Sequence, residues 1–267
     1  MLEHLIVAPG SDPALRRRKP DDRLGLEGKA AAQQELAELV DELSVLHNRL
    51  YAEAERSLLL ILQGLDAAGK DGTVKRVLTG LNPQGCRIVS FKEPTTSELA
   101  HDYLWRIHAS CPERGEIGIF NRSHYEDVVV ARVHRLVPDG VWKHRSHHIR
   151  EFERILVDEG TTIVKVFLHV SREAQGKRLR ERLSNPEKAW KFKESNLQDR
   201  ERWDEFMRAY NDVIGETSTE WAPWYVVPGD RKWARNVAVA RLLVEALRRI
   251  DPQLPAPSPE LAELQIA

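Results

Sequence analysis

Residues 57–81 read SLLLILQGLDAAGKDGTVKRVLTGL, and the fold turns on how this stretch is understood. Leu58 to Leu62 form a short aliphatic run that ends at a glycine, the pattern of a strand buried on both faces of a parallel sheet. GLDAAGKDGT (64–73) then fits G-x-x-x-x-G-K, the frame of loops that cradle phosphate, and TVKRVLTGL opens a helix behind it. Gly64 and Gly69 let backbone N–H groups turn inward, and the helix N-terminus adds positive potential. Lys70 supplies a mobile point charge. Gly64, Ala67, Ala68, Gly69, Asp71, Gly72 and Thr73 are therefore the expected phosphate-binding stretch. A glycine-rich turn with an incidental lysine is the bland alternative, and the flanking strand and helix weigh against it.

Two residues depart from the usual frame. Where nucleotide triphosphatases place a Ser or Thr to ligate Mg²⁺, this chain has Asp71, and a second acid, Asp66, lies inside the loop. Asp71 can stabilise the first helical turn through the macrodipole or hold metal-bound water. Asp66 is better placed to bind Mg²⁺ or to orient an attacking phosphate oxygen. Two carboxylates beside phosphate make sense only where divalent cations are present.

Working outward, apolar residues at Leu36, Leu39, Val40, Leu43, Leu46 and Leu50 recur at helical spacing and predict an amphipathic helix over 29–55. Further strands are expected at RIVSF (87–91), EIGIF (116–120), TTIVKVFLHV (161–170) and WYVVP (224–228). Helical stretches are expected near 70–79, 97–110, 123–134, 145–158, 172–183, 196–216 and 232–250. This alternation predicts an α/β fold of three layers, α/β/α, around a five-stranded parallel sheet. Residues 1–28 read as an extended arm, 29–250 as one domain with a lid about 172–195, and 251–267 as a Pro-rich tail.

Composition narrows the function classes. The 267 residues carry 40 Lys and Arg against 41 Asp and Glu, a formal net charge of −1, which argues against a general nucleic-acid coat protein. The N-terminus lacks a basic region followed by a long apolar stretch, and the longest greasy run is far too short to span a membrane. Cys86 and Cys111 have no metal-ligand spacing, form no disulfide framework and read as small buried residues. A reducing cytoplasm is the expected setting, without nucleic acid or membrane as a partner.

EIGIFNRSHYEDV (116–128) is a strand ending in Asn-Arg-Ser, followed by a helix. Strand ends of an open α/β sheet line the ligand crevice, so Asn121 and Arg122 should face the site, with Arg122 as a bidentate phosphate clamp. SREAQGKRLRERLSNPEKAWKFKE (171–194) places Arg178 and Arg182 four apart on one helical face, among Lys177, Arg180, Lys188, Lys191 and Lys193. A solvated helix would look similar. The run follows the long strand, however, where nucleotide kinases carry a lid that closes over phosphates. Arg178 and Arg182 are expected to neutralise the transferred group, with Asn185-Pro186 as a hinge. Lys75 and Arg76 are candidates for a cationic track, and Trp105, Trp190 and Trp203 are available for stacking. HRSHH (144–148) has no carboxylate or cysteine at matching spacing and reads as a helix face rather than a zinc site.

GLDAAGKDGT, FNRSHYEDVVVARVH (120–134) and RLRERLSNPEKAWKF (178–192), in this order, closely resemble the type-2 polyphosphate kinase family. The likeness runs on through WYVVPGDRKWARN (224–236) and the last helix. The resemblance implies a P-loop kinase core with a helical lid. It also implies reversible phosphoryl transfer between inorganic polyphosphate and AMP, ADP or ATP, with Mg²⁺ (or Mn²⁺), in a homo-oligomer, dimer or tetramer. It assigns Asp66 to the acceptor phosphate and metal, Lys70 to phosphate binding, and Arg122 to the strand-end arginine. The commoner family version reads Asp-Arg-Ser-Trp-Tyr-Asn at the strand end, so Asn121 here replaces an acid and Glu126 an amide. The NRSHYED form resembles the subclass that phosphorylates AMP as well as ADP, with Glu126 adapting the site to the shorter acceptor. An ATP-dependent nucleoside monophosphate kinase of the thymidylate kinase type would share the loop, arginine and lid, but calls for Ser or Thr after Lys70. A non-catalytic polyanion-binding module would place no demand on Asp66.

Overall fold

A computed structural model describes residues 2–258. Its helices are α1 (Lys29–Glu53), α2 (Lys70–Val77), α3 (Thr96–Leu99), α4 (Trp105–His108), α5 (Glu126–Val133) and α6 (Asp139–Asp158). They continue with α7 (Arg172–Leu183), α8 (Pro186–Ala189), α9 (Ser195–Glu201), α10 (Trp203–Thr217) and α11 (Lys232–Ile250). The strands are β1 (Ile6–Val7), β2 (Ser57–Gln63), β3 (Cys86–Ser90), β4 (Ile117–Asn121), β5 (Thr161–His169) and β6 (Trp224–Pro228).

Among the described residues the sheet has six strands, ordered β1-β6-β5-β2-β4-β3, rather than the five expected. The five expected strands are parallel, and β1 adds antiparallel to β6 through Ile6–Tyr225 and Val7–Trp224. Two residues are too few to show a period of two, so β1 was hidden in the arm. The arm is also more than an extended segment. It buries Leu5, Val7, Leu15, Leu24 and Leu26, and the Arg18 guanidinium donates to the carbonyls of Pro13 (2.8 Å), His4 (2.8 Å) and Ile6 (3.2 Å).

β2 lies at the centre, buried at every residue, and its alternate side chains feed two cores. Leu58, Leu60 and Leu62 pack with Leu43, Leu46 and Leu50 of α1 and with Val239, Leu242 and Leu243 of α11. Leu59 and Ile61 face Val128 and Val129 of α5, Ile149 and Phe152 of α6, and Phe206, Tyr210 and Val213 of α10. This period-two division produces the three layers. Bidentate pairs Arg241–Glu35 (2.5 and 2.8 Å) and Arg248–Glu42 (2.6 and 2.8 Å) then lock α11 against α1.

Two expected helices are broken. The 97–110 stretch forms only the single turns α3 and α4, because the Asp102 carboxylate accepts from the Leu104 N–H (2.9 Å) and starts a new turn. The 196–216 stretch divides at Arg202, whose guanidinium donates to the Val133 carbonyl (2.8 Å). In the tail, residues 251–258 carry no regular structure, and 259–267 lie outside the described residues. His144, His147 and His148 are exposed on α6, and both cysteines are half-buried, with burial raising Cys86 to about 11 and Cys111 to about 12.

Candidate active site

The loop between β2 and α2 sits beside the carboxyl end of β4, since Leu62 is in register with Asn121. The Arg122 N–H extends that ladder by donating to the Leu62 carbonyl at 3.1 Å. Arg122 then turns through φ +65°, an uncommon conformation for a side-chain-bearing residue and one that gathers at functional sites. Gly64 adopts φ +147°, and a Cβ there would lie 2.9 Å from the Leu168 carbonyl, so only glycine passes this point.

The side chains of the loop and strand end converge. Lys70 is buried and its ammonium donates to the Gly64 carbonyl at 2.6 Å, inside the loop's own ring. Asp66 pairs with Arg122 through one oxygen and accepts from the Asn196 amide of α9 (2.5 Å) through the other. Arg122 also reaches Glu126 at 3.2 Å. The hydrogen-bonding surroundings orient the buried Gln63 amide so that its nitrogen donates to Glu126 at 2.8 Å, which fixes that carboxylate from below. Asp71 accepts from the Asn121 amide (2.8 Å) and from Lys191, between α8 and α9 (3.1 Å). One loop acid thus engages the strand-end arginine, and the other joins the loop to the strand end and to the segment between α8 and α9.

Electrostatics follow from this crowding. Burial would raise the Asp66 carboxyl, but Arg122, Lys70, Arg182 and the Asn196 amide outweigh it and hold it below its ordinary value. Asp71 behaves likewise, with Asn121 and Lys191 opposing burial. Glu126, ahead of the opposing burial, raises Arg122 above its ordinary value. Burial, with Arg122 adding to it, pushes Lys70 down to about 8. Without an anion the ammonium therefore loses its proton as pH rises through about 8, and an anion that needs the charge must bring a proton back. We expect binding of trimetaphosphate, which is fully ionised throughout this range, to take up a fraction of a proton near that pH, and at pH 6.5 almost none. Calorimetry in two buffers of different ionisation enthalpy reads this directly; equal uptake at both pH values would contradict it.

The remaining expected residues are less tightly drawn in. Arg182 lies close enough to lower Asp66, and its guanidinium donates to the Lys191 carbonyl at 3.4 Å. Arg178 contacts backbone carbonyls instead: Ala67 (3.0 Å), Ala68 (2.9 Å), Gly229 (2.5 Å) and Asp230 (2.9 Å). Lys75, Arg76 and Gly72 are exposed on α2, while the Thr73 hydroxyl donates to the Gly69 carbonyl (3.1 Å). Asn185 caps α8 by accepting from the Glu187 N–H (2.9 Å). Trp190 is exposed, Trp105 stacks on His101, and Trp203 packs between the two cores. Gln63, Asn196 and Arg235 escaped the motif reading. Asn196 and Arg235 are joined to the loop only across more than a hundred residues of chain, while Gln63, the last residue of SLLLILQ, and Arg235, in WYVVPGDRKWARN, lay within stretches already quoted.

The family model described as polyphosphate kinase 2 (PPK2) matches residues 27–255. The chain belongs to the polyphosphate kinase 2 family. It is 53% identical over 252 residues to an AMP/ADP-polyphosphate phosphotransferase of Meiothermus ruber, covering 94% of each chain. It is 43% identical over 245 residues to an ADP-polyphosphate phosphotransferase of Rhodopseudomonas palustris, covering 87% of this chain and 85% of the relative. The crystal structure of polyphosphate kinase 2 from Arthrobacter aurescens TC1 superposes with a TM-score of 0.93 at 41% identity, covering 98% of this chain and 93% of that one. The P-loop kinase-like fold is therefore the fold of the PPK2 family, and the chain is an enzyme of the polyphosphate kinase class.

Proposed function

We propose that this enzyme transfers the terminal phosphoryl group of inorganic polyphosphate to AMP and to ADP, reversibly. The observation that carries the reading is one cluster in which Lys70, Arg122, Asp66 and Glu126 meet at the phosphate loop, in a chain 53% identical to an AMP/ADP-polyphosphate phosphotransferase. An acceptor phosphate oxygen attacks the terminal phosphorus of the chain. One P–O–P bond forms, another breaks, and the leaving group is polyphosphate shortened by one unit. Lys70 and the loop amides hold the terminal phosphoryl group, and Arg122 carries its equatorial charge. Asp66 orients the acceptor oxygen.

The residues fit Mg²⁺. Asp66 and Asp71 are both held ionised, and Mg²⁺ asks for one or two carboxylates with phosphate oxygens and waters completing its shell. When bound, Mg²⁺ would neutralise the crowded phosphate charge of donor and acceptor. Asp66, with Asp71 beside it in the loop, would hold it. We place the enzyme in a reducing cytoplasm as a homo-oligomer; among the described residues no helix is long and apolar enough to cross a membrane.

The direct test incubates the protein with Mg²⁺, long-chain polyphosphate and AMP, and separates nucleotides by chromatography. ADP and then ATP, absent when polyphosphate is omitted, support the reading; no product from either AMP or ADP sinks it. Glu126 tests the acceptor. Because Gln63 and Arg122 fix its carboxylate beside the strand end, Glu126→Gln should lower kcat/KM for AMP on the order of tenfold more than for ADP. An equal loss for both acceptors would remove Glu126 from acceptor choice.

A further inference from the structure

The carbonyl side of the phosphate loop is gripped by two arginines. Arg178 on α7 donates through one nitrogen to Ala67 (3.0 Å) and Ala68 (2.9 Å), and through the other to Gly229 (2.5 Å) and Asp230 (2.9 Å). Arg235, in the first turn of α11, donates to the same Ala68 carbonyl at 3.2 Å and to the Asn236 side-chain oxygen at 3.1 and 2.9 Å. Among the described residues, every hydrogen-bond partner of both guanidiniums is a neutral oxygen, and Arg235 is only 3% exposed. A buried arginine whose donors all go to backbone and amide oxygens is expensive to keep as an ion-pair element, so its hydrogen-bond geometry is what it provides.

The geometry has a consequence for the loop amides. In a trans peptide the C=O and the following N–H point in opposite directions. The Ala68 N–H closes a turn onto the Leu65 carbonyl at 3.0 Å. Holding the Ala68 carbonyl outward therefore sets the direction of the Gly69 N–H, on the opposite side of that peptide. The fit is close: Gly69 has φ +110°, and a Cβ there would lie 1.8 Å from an Arg235 nitrogen. Arg178 also connects the loop to the β6–α11 turn, where Asp230 accepts from Ser171, the capping residue of α7, at 2.8 Å. Loop, lid root and turn thus share one hydrogen-bonded joint.

We propose that Arg178 and Arg235 are positioning residues that clasp the phosphate loop from its carbonyl side and aim the Gly69 amide at the donor phosphate, rather than binding phosphate themselves. This rests on the reading that the loop holds the polyphosphate terminus, but the clasp can be measured without any substrate. The test uses Arg178→Lys and Arg235→Lys, each retaining the charge while losing most of the contacts, so that one interpretable variant suffices. In the ligand-free protein, amide hydrogen exchange at Ala68 and Thr73, whose N–H groups bond Leu65 (3.0 Å) and Gly69 (2.9 Å), should quicken on the order of tenfold. Exchange in the β5 core should not change. The KM for polyphosphate should rise on the order of tenfold, while that for AMP stays within about twofold. Weaker polyphosphate binding with unchanged loop exchange would make the arginines direct phosphate ligands and overturn the clasp. Exchange quickened everywhere, or nowhere, would also overturn it. Failure of the polyphosphate reading itself would show separately, as a wild-type enzyme inactive with polyphosphate whose loop still loosens in the variants.

Discussion

Replacing Asp66 by asparagine should slow turnover on the order of a hundredfold or more while leaving the protein folded. Asparagine matches aspartate in size, so packing is preserved and the missing charge is the variable. In the native loop Asp66 is ionised, paired with Arg122 and bonded to Asn196 at 2.5 Å. Removing its charge leaves Lys70, Arg122 and Arg182 less compensated, which favours an incoming polyanion. The KM for polyphosphate should therefore stay level or fall while kcat collapses. That split separates a residue that orients the acceptor and metal from one that merely binds donor. Steady-state kinetics with a melting curve alongside measures it; turnover within about threefold of wild type would refute the role.

The largest stability effect should come from Lys165→Met. Lys165 and Glu153 are both fully buried, 2.6 Å apart, and the ammonium also donates to the Thr217 carbonyl (2.7 Å) and the Tyr125 hydroxyl (3.2 Å). The same carboxylate accepts from Tyr125 (2.7 Å) and lies 3.4 Å from His124. Deleting one partner of a buried pair strands the other, at a cost of about 3–5 kcal/mol. Urea unfolding should show that loss. Lys165→Met with Glu153→Leu should recover much of it, since apolar replacement of a whole pair is often close to neutral. A single variant within about 1 kcal/mol of wild type would contradict the assignment. The sign with pH is also set. Burial raises the Glu153 carboxyl, but Lys165 and His124 outweigh it and hold it below its ordinary value of 4.5. Its stabilisation is therefore full above 4.5 and is lost as pH falls through the lowered value in the folded state. The consequence reaches the active site, because His124 and Tyr125 follow directly on Arg122 and Ser123 in NRSHYE.

Much of this molecule was legible in its sequence because its signals are local. SLLLILQ has one reading as a doubly buried strand, and the phosphate loop and NRSHYE each occupy consecutive positions at a strand end. What escaped is set by tertiary placement. Asn196 meets Asp66 across 130 residues of chain, and Arg178 meets Ala67 across 111. Helical spacing placed Arg178 on a lid with Arg182, yet Arg178 lies nearer the root of α7, where backbone carbonyls are what it meets. The strand Ile6–Val7 was illegible for another reason: its pairing is fixed by Tyr225 and Trp224 and by single buried leucines of the arm, with no repeat to betray it.

The central claim is transfer from polyphosphate to a nucleotide, and phosphorus NMR of one reaction mixture tests it most directly. With AMP, Mg²⁺ and long-chain polyphosphate, the account predicts a growing signal from the β-phosphate of ADP. Internal polyphosphate signal should fall in step, chain-end signal should persist, and free phosphate should not accumulate. Loss of polyphosphate into free phosphate, or nucleotide products that form only when ATP is supplied, would contradict it.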